Sequence, residues 1–468
     1  MSIAHLDSAR PSGPAANAGL DLCIQEGRSL LRLAAPIMLI ALVNMGMSVT
    51  DAAMVSAIFG ADALAAVAVG SDFYSIVFYL GAGTLGGLAP FYTAATVRSD
   101  FAGAARLVRI GWMMVGLIAA LTVPLVWFAP GWLAMLGLDT GLLEQGRGYT
   151  RAMALTLVPM LGVILYRTIL TAAEKPKVFL KVTVAMLPLN ALGNYVLMTG
   201  PGPVPAFGPT GAGICTLLVA TASLAILILI ARRASGRATA APGSAGIDWR
   251  GIVAVLRVGL PIGIATVAEV GVFLAATIYA ATLGAADVAA HTLTLRTAGV
   301  AYAIPAALLQ ASMVRMARAH SQGDSRTDRA VFTSSLAISL AFGALIVLLL
   351  SIGAGPLAGA FFDDSPAGVA AAGLAVGLLV LLGVMEFIFT PGAAAAGLLR
   401  GRKDTRGPMI YALVGHWAVG APLGVYLCEW HDLGAAGIWI GLSAGTLLTT
   451  SLTLRRLFVL HAPTLSSR

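Results

Sequence analysis

Residues 44–56, NMGMSVTDAAMVS, place one carboxylate, Asp51, inside a long apolar stretch of the chain. An uncharged stretch of about 20 residues is long enough to cross a bilayer as an α-helix. Further stretches of this kind are residues 110–130, 182–231, 330–362, 365–385 and 434–454. The stretch 182–231 is long enough for two helices, which the breaker-rich segment GPGPVPAFGPTG (200–211) would separate. We therefore expect Asp51 to lie within a membrane-spanning helix.

The composition indicates the same class of protein. Mean hydropathy is +0.89, and only 11% of the 468 residues are charged, whereas a soluble domain has about a quarter. Membrane-spanning strands would alternate apolar and polar side chains, and these stretches do not. The three cysteines, Cys23, Cys215 and Cys428, match no metal or redox spacing. The predicted fold class is an all-α polytopic membrane protein.

Twelve apolar segments are predicted to be helices, and the charges between them predict the orientation. The first six lie near 33–58, 65–96, 108–128, 149–172, 178–199 and 211–231, and the second six near 254–282, 288–317, 331–354, 368–398, 409–428 and 434–455. Lysine and arginine collect in every second loop, and the other loops are mostly acidic or uncharged. The positive-inside rule then places both termini in the cytoplasm. This topology accounts for the net charge of +8, so nucleic acid is not an expected partner.

The chain resembles itself. LLRLAAPI (30–37) is similar to VLRVGLPI (255–262), and FGADALAAVA (59–68) is similar to LGAADVAAHT (283–292). Each half has an even number of helices, so the halves are predicted to be parallel repeats around a central cleft. The predicted units are a disordered cytoplasmic tail (1–28), an N-terminal six-helix bundle (29–233), a cytoplasmic linker (234–249), a C-terminal six-helix bundle (250–456) and a second cytoplasmic tail (457–468). No GxxxxGK[ST] motif is present, which favours a secondary transporter over an ATP-driven pump.

Several motifs, in this order, resemble the multidrug and toxic compound extrusion (MATE) family in its bacterial branch. They are VTDAAMVS (49–56), LYRTILTAAEKPK (165–177), LNALGNYVLMTG (189–200), LGAADVAAHTLTLR (283–296), IPAALLQASMVRMARAHSQGD (304–324), AAGLLRGRKDTRGPM (395–409), GAPLGVYL (420–427) and LGAAGIWIGL (433–442). The likeness covers roughly residues 29–456. It implies a twelve-helix antiporter that expels amphipathic, often cationic compounds and admits H⁺ or Na⁺.

Asp51 is the first candidate site residue. It lies roughly 13 Å below the outer end of its helix, where a charge costs at least ~2.5 kcal/mol. We expect it to face protein or water and to carry a proton or coordinate Na⁺; a structural carboxylate bonded between helices is the alternative. Asn190 and Asn194 are four residues apart and share one helix face. The resemblance implies that this face completes the site around Asp51, although Asn194 stands where some members have an acid.

Two acids are candidates in the second half. Glu269 is expected near the membrane middle, and by the resemblance it matches the second-half acid of Na⁺-coupled and eukaryotic-like members. Those Na⁺-coupled members carry a further acid at the position of Phe389, so either Glu386, three residues earlier, replaces it or coupling runs through Asp51 and Glu269 alone. The expected ion-coupling and substrate residues are therefore Asp51, Asn190, Asn194, Glu269 and Glu386, with H⁺ or with Na⁺ held at Asp51 or Glu269.

Asp72 and Arg296 occupy equivalent positions when the repeats are aligned on Gly60 and Gly284. Their opposite charges would approach one another near the pseudo-twofold axis. We expect a salt bridge that closes the outer cleft when the transporter faces inward; a pairing of each residue with its own half, or of Asp72 with Asp51, is the alternative.

Four aromatic residues are candidates to bind flat cationic substrates by cation–π contact: Tyr74, Phe78, Phe273 and Tyr302. Contact with lipid is the alternative for each of them.

The predicted function is ion-coupled efflux of cationic or amphipathic compounds across the cytoplasmic (inner) membrane, by a monomer, with no cofactor besides the coupling ion. The alternative is a flippase or exporter of a lipid-linked saccharide or another lipid, from the same superfamily. Such proteins tend to need several cationic residues in the cleft, and only Arg296 qualifies. An enzyme is not expected, because the sequence has no metal-ligand cluster or nucleophile constellation. The sequence leaves the substrate and the choice of ion open.

Overall fold

The structure, a computed structural model, describes residues 14–235 and 246–466. Every regular element in these two ranges is helical. The elements are α1 (Pro14–Gly86), α2 (Ala89–Val97), α3 (Phe101–Trp127), α4 (Ala129–Met135), α5 (Thr140–Ala172), α6 (Pro176–Thr199), α7 (Thr210–Ser235), α8 (Trp249–Ala280), α9 (Ala285–Ala301), α10 (Ala303–Gln322), α11 (Ser325–Phe361), α12 (Pro366–Gly401), α13 (Arg406–Ala412), a π-helical segment (Leu413–Gly420), α14 (Ala421–His431) and α15 (Gly434–Ser466). The predicted all-α class is confirmed.

Two equivalent glycines separate the first two spans of each half. Gly60 interrupts α1 with φ 84° and ψ −177°, and Gly284 precedes α9 with φ 149°. This extended backbone at positive φ is essentially restricted to glycine. In the described part of the chain eleven helices are long and apolar enough to cross a membrane, and the first of them, Gly19–Val97, contains the break at Gly60. Counting both of its parts gives the predicted twelve spans.

The two halves are packed together at one end of the bundle and separate at the other. We call the end with the turns at residues 98–100, 173–175 and 402–405 the basic side, and the opposite end the acidic side. Near the acidic side, one hydrophobic core runs from Val55 to Ala212 in the first half, and another from Val272 to Leu442 in the second. Near the basic side, the cores contain residues of both halves. The cleft between the halves therefore opens toward the acidic side.

A close helix crossing holds the halves together. Gly83 on α1 and Gly87 in the turn after it face Gly263 and Gly259 on α8, and a Cβ on Gly83 would lie 2.6 Å from the Gly263 Cα atom. Because no side chain intervenes, the two backbones approach closely, as small residues allow in membrane helices.

The predicted tails are partly wrong. Residues 1–13 lie outside the described residues, but 14–28 are the start of α1, because buried Glu26 pairs with Arg315 of the second half. The C-terminal segment from residue 457 continues α15 to Ser466 and buries Leu457. Of the predicted linker, residues 236–245 lie outside the described part, and Asp248 caps α8 by accepting from the Gly251 N–H at 3.0 Å.

Candidate functional site

Asp51 lies in a polar cradle formed by two helices. It belongs to the first span of α1, and both asparagines project from one face of α6. The Asn190 side-chain amide donates to Asp51 Oδ1 at 2.5 Å, and the Asn194 amide donates to the same oxygen. Both asparagines are fully buried. The expected contact of this face with Asp51 is present, and it holds the carboxylate away from lipid.

One oxygen of the cradle has no partner. The side-chain oxygen of Asn194 is buried and accepts no hydrogen bond within the protein, while the other Asp51 oxygen, Oδ2, accepts none from either asparagine. A carboxylate oxygen and an amide oxygen are suitable ligands for a hard cation, and a protonated carboxyl would donate to the amide oxygen. The residues present therefore suit either H⁺ or Na⁺.

The wall behind the cradle closes the first-half site. Cys215 of α7 donates to the Asn190 carbonyl oxygen at 3.4 Å, and its sulfur fills the space next to Gly193. Tyr149 of α5 is buried and lies within electrostatic range of both Asp51 and Asp72. Asp51 of α1 is thus bonded to α6, which contacts α7 at the back of the site.

Asp72 and Arg296 are not paired in this conformation. Both are exposed, and neither takes part in any ion pair among residues 14–235 and 246–466. The cleft is open at this end, so the equivalent positions are held apart. Asp51 receives its hydrogen bonds from the asparagines and has none with Asp72. The expected salt bridge between Asp72 and Arg296 stays a prediction about the conformation in which this end of the cleft is closed.

The second-half acids are in different surroundings. Glu269 is half-buried, and no hydrogen bond or ion pair of its side chain is present among the described residues; Arg400 of α12 is the cation within its electrostatic range. Glu386 is buried, and its Oε2 atom has no partner. Phe389 stacks on Tyr302, with ring centroids 5.8 Å apart. The structure therefore does not join Glu269 and Glu386 into a cradle like that of Asp51.

The four candidate aromatics differ in access. Tyr74 is buried in the first-half core and stacks on Phe78 at 5.7 Å. Phe273 packs on Trp439 at 6.2 Å in the second-half core. Tyr302 is exposed over 40% of its surface. Of the four, Tyr302 is the most exposed, since Tyr74 is buried and Phe78 and Phe273 are partly buried.

Some interior groups were not found from the sequence. Arg400 is buried and lies within electrostatic range of Glu269 and Tyr302. In the first half, Arg167, near the C-terminal end of α5, lies within electrostatic range of Tyr79. Both arginines end apolar helices close to the basic loops, where an interfacial position is the usual expectation. Their inward direction depends on helix packing and has no signal in the sequence.

Ion pairs close the basic side between the halves. Arg315 of α10 binds Glu26 at 2.5 Å and Glu174 at 2.5 Å, with side-chain exposures of 11% for Arg315 and 9% for Glu26. Arg318 approaches the same Glu174 at 3.6 Å. The two acids belong to the first half and the two arginines to the second. Removal of one partner from a buried pair costs roughly 3–5 kcal/mol, so these contacts favour the conformation that is closed on the basic side.

Comparisons with known proteins agree with the sequence motifs. A family model described as MatE matches residues 36–196 and 261–426, one stretch in each half. The chain is 32% identical to the "Probable multidrug resistance protein NorM" of Mesorhizobium japonicum, over 94% of this chain and 95% of that protein. It is 30% identical to the "Multidrug resistance protein NorM" of Burkholderia vietnamiensis, over 88% of this chain and 90% of that protein.

Solved structures show the same fold. The structure of the eukaryotic MATE transporter AtDTX14 superposes with a TM-score of 0.83 at 17% identity, covering 94% of this chain and 97% of that one. A structure titled as the outward-facing conformation of a multidrug resistance MATE family transporter gives 0.84 at 17% identity, covering 96% and 99%. The matched family model and the near full-length relatives establish that this chain belongs to the MATE family.

Proposed function

We propose that the chain is an ion-coupled efflux antiporter of the inner membrane that exports amphipathic cations in exchange for H⁺ or Na⁺. The observation that carries this proposal is the Asp51 cradle. It holds one charged group inside the first half, gives it two fixed donors, and leaves an acceptor oxygen of Asn194 for an incoming proton or cation. A membrane-embedded carboxylate with this environment is typical of an ion pathway.

The orientation is part of the proposal. With the basic side in the cytoplasm, as the positive-inside rule requires, both termini are cytoplasmic and the described conformation faces outward. Transport then requires the contacts of Arg315 with Glu26 and Glu174 to open and the cleft on the acidic side to close. Rocking of one half against the other would open the basic side and close the acidic side. Asp72 and Arg296 would meet when the outer cleft closes.

Coupling follows from competition for one negative charge. A cation at Asp51 neutralises the carboxylate and so removes the attraction that an exported cation would feel in the cleft. A bound substrate cation, in turn, disfavours the ion. Such negative coupling between two ligands is reciprocal and typically amounts to about 1–3 kcal/mol. Tyr302, the exposed member of the four aromatics, would contact the flat part of the substrate.

The names of the relatives support export of drugs, since they are called multidrug resistance proteins. The lipid-linked saccharide alternative receives less support from the described residues. Several cations at the substrate cleft would be needed to hold a pyrophosphate, but Arg315 lies at the closed basic side and is bound there by Glu26 and Glu174.

Efflux from vesicles tests this function. The full chain would be placed in lipid vesicles with a fluorescent lipophilic cation, and transport would be started by a pH step or by a Na⁺ step. The wild type is expected to respond to one of them, whereas Asp51→Asn responds to the same step about ten- to hundredfold more weakly. Asp62→Asn, an exposed acid beyond the break at Gly60, is the matched control and transports normally. Normal transport by Asp51→Asn would contradict the assignment of that residue.

A further inference from the structure

A cavity of about 410 Å³ lies on the basic side, where the two halves meet. Its walls come from α2 and α3 of the first half and from α8 and the turn after α12 of the second. The cations at its edge are Arg98, Arg106, Arg250 and Lys403, and its apolar wall includes Phe91, Leu107, Ile110 and Val255. Each half therefore contributes two cations to one site.

The positive charge in this cavity is largely uncompensated. Arg106 pairs with Asp248 at 2.6 Å, but Arg98, Arg250 and Lys403 form no ion pair with any residue that the structure describes. Asp100, the acid in the lining, accepts from the Gly103 N–H at 2.8 Å and caps α3. Of the two acids near the cavity, Asp248 is thus paired with Arg106, and Asp100 caps the N-terminus of α3.

Two of the cations are close enough to repel one another. The Lys403 ammonium lies 4.0 Å from the centre of the Phe91 ring. Partial desolvation, together with the positive charge of Arg98, holds the pKa of Lys403 below its usual value. Two like charges directed at one space are stabilised by an anion between them, and arginine and lysine are the residues that bind phosphate oxygens most often.

The surroundings distinguish a lipid from a soluble anion. A soluble phosphate would contact the cations and leave the accessible apolar lining of Phe91, Leu107 and Ala254 uncovered, whereas Ile110 and Val255 behind it are already buried in the core. Phe101 and Trp249, at the first turns of α3 and α8, are largely exposed near the cavity, as aromatic residues are at a membrane interface. Basic pockets between membrane helices on this side are a known type of site for lipid head groups.

We propose that this cavity binds the phosphate head group of an anionic phospholipid, whose acyl chains lie along the apolar wall. The lipid would join Arg98 of the first half to Arg250 and Lys403 of the second. It would therefore add to the Arg315 contacts and favour the conformation that is closed on the basic side. This inference does not depend on the transported substrate or on the coupling ion.

Lipid binding by the purified full chain tests the proposal. Phosphatidylglycerol and phosphatidylcholine would be titrated in detergent, with retained lipid counted by native mass spectrometry. The wild type is expected to prefer phosphatidylglycerol. The double variant Arg98→Gln/Lys403→Gln should bind it about thirtyfold more weakly, since each cation contributes about 1 kcal/mol. Arg232→Gln/Arg233→Gln, which removes two exposed cations at the end of α7, should bind it like the wild type.

Three results would overturn the proposal. Equal loss in the two double variants would indicate a general charge effect. Equal retention of both lipids by the wild type would mean that the head-group charge is not recognised. Displacement of phosphatidylglycerol by inorganic phosphate at the same concentration would indicate a soluble anion site.

Arg250→Gln provides a milder test that spares the fold, because Arg250 is exposed. We expect this variant to bind phosphatidylglycerol about fivefold more weakly than the wild type.

Discussion

The two halves carry acids inside the membrane in unlike surroundings. In the first half, two buried asparagines fix Asp51 and leave an acceptor oxygen beside it. In the second half, Glu269 has no hydrogen bond among the described residues, and Glu386 is buried with an unpartnered oxygen. A repeat that duplicates the helices has thus not duplicated the cradle. We propose from this difference that ion coupling is concentrated at Asp51, with the second half in a supporting role.

The largest expected difference is between the two main acids. Asp51→Asn removes the charged acceptor of two hydrogen bonds, each worth roughly 1.5–3 kcal/mol, and should lower ion-driven efflux about ten- to hundredfold. Glu269→Gln, whose carboxylate has no such bonds, should lower it less than about tenfold. Initial efflux rates from vesicles would give both values. Equal losses in the two variants would show that the halves share the coupling.

The asparagines allow the cradle itself to be tested. Asn194→Ala removes one donor to Asp51 and the free acceptor oxygen, so we expect about tenfold slower efflux at limiting ion concentration and recovery at high ion concentration. Tyr195→Phe, on the same helix but exposed over 52% of its surface, is the control and should leave the ion dependence unchanged. An ion dependence of Asn194→Ala equal to that of the wild type would remove this residue from the site.

Glu386 tests whether the second half holds a hidden ion site. Its buried oxygen without a partner is a source of instability. Glu386→Gln is therefore expected to leave efflux within about threefold of the wild type and to keep or raise the free energy of unfolding by about 1 kcal/mol. Efflux and thermal unfolding would be measured together. A loss as large as that of Asp51→Asn would instead support replacement of the missing acid at Phe389.

The outer cleft provides a further comparison. Asp72 and Arg296 are exposed, and exposed pairs contribute about 0–1 kcal/mol, so each alanine variant should slow efflux by at most about fivefold. The exchange Asp72→Arg/Arg296→Asp should recover part of that loss, because it restores opposite charges at equivalent positions. A swap no better than the single variants would disprove the pairing.

The sequence was sufficient for the spans and the repeat, because these depend on apolar length, breakers and loop charge. The contact of Asn190 with Asp51 was implied by the resemblance to the MATE family, whereas the spacing alone indicated only that the two amides share a helix face. The helical start at residues 14–28 was missed, because its stability comes from the ion pair of Glu26 with Arg315, 289 residues away in the chain. Local composition carries no information about such a partner.

The exposure of individual side chains also could not be predicted from the sequence. Tyr74 and Tyr302 have the same residue type in equivalent second spans, yet one is in a core and the other is exposed. The difference depends on how each half packs against its neighbours and on the open state of the cleft. For the same reason Arg400 could not be placed next to Glu269 before the helix packing was known.

Equilibrium binding tests the central claim most directly. The dissociation constant of a fluorescent cation would be measured on purified wild type and on Asp51→Asn, at high and low concentrations of H⁺ and then of Na⁺. The wild type should bind the cation about tenfold more weakly when the coupling ion is abundant, and Asp51→Asn should show no dependence on either ion. A wild-type constant that is the same under all four conditions, or an unchanged ion dependence in Asp51→Asn, would contradict competition at Asp51.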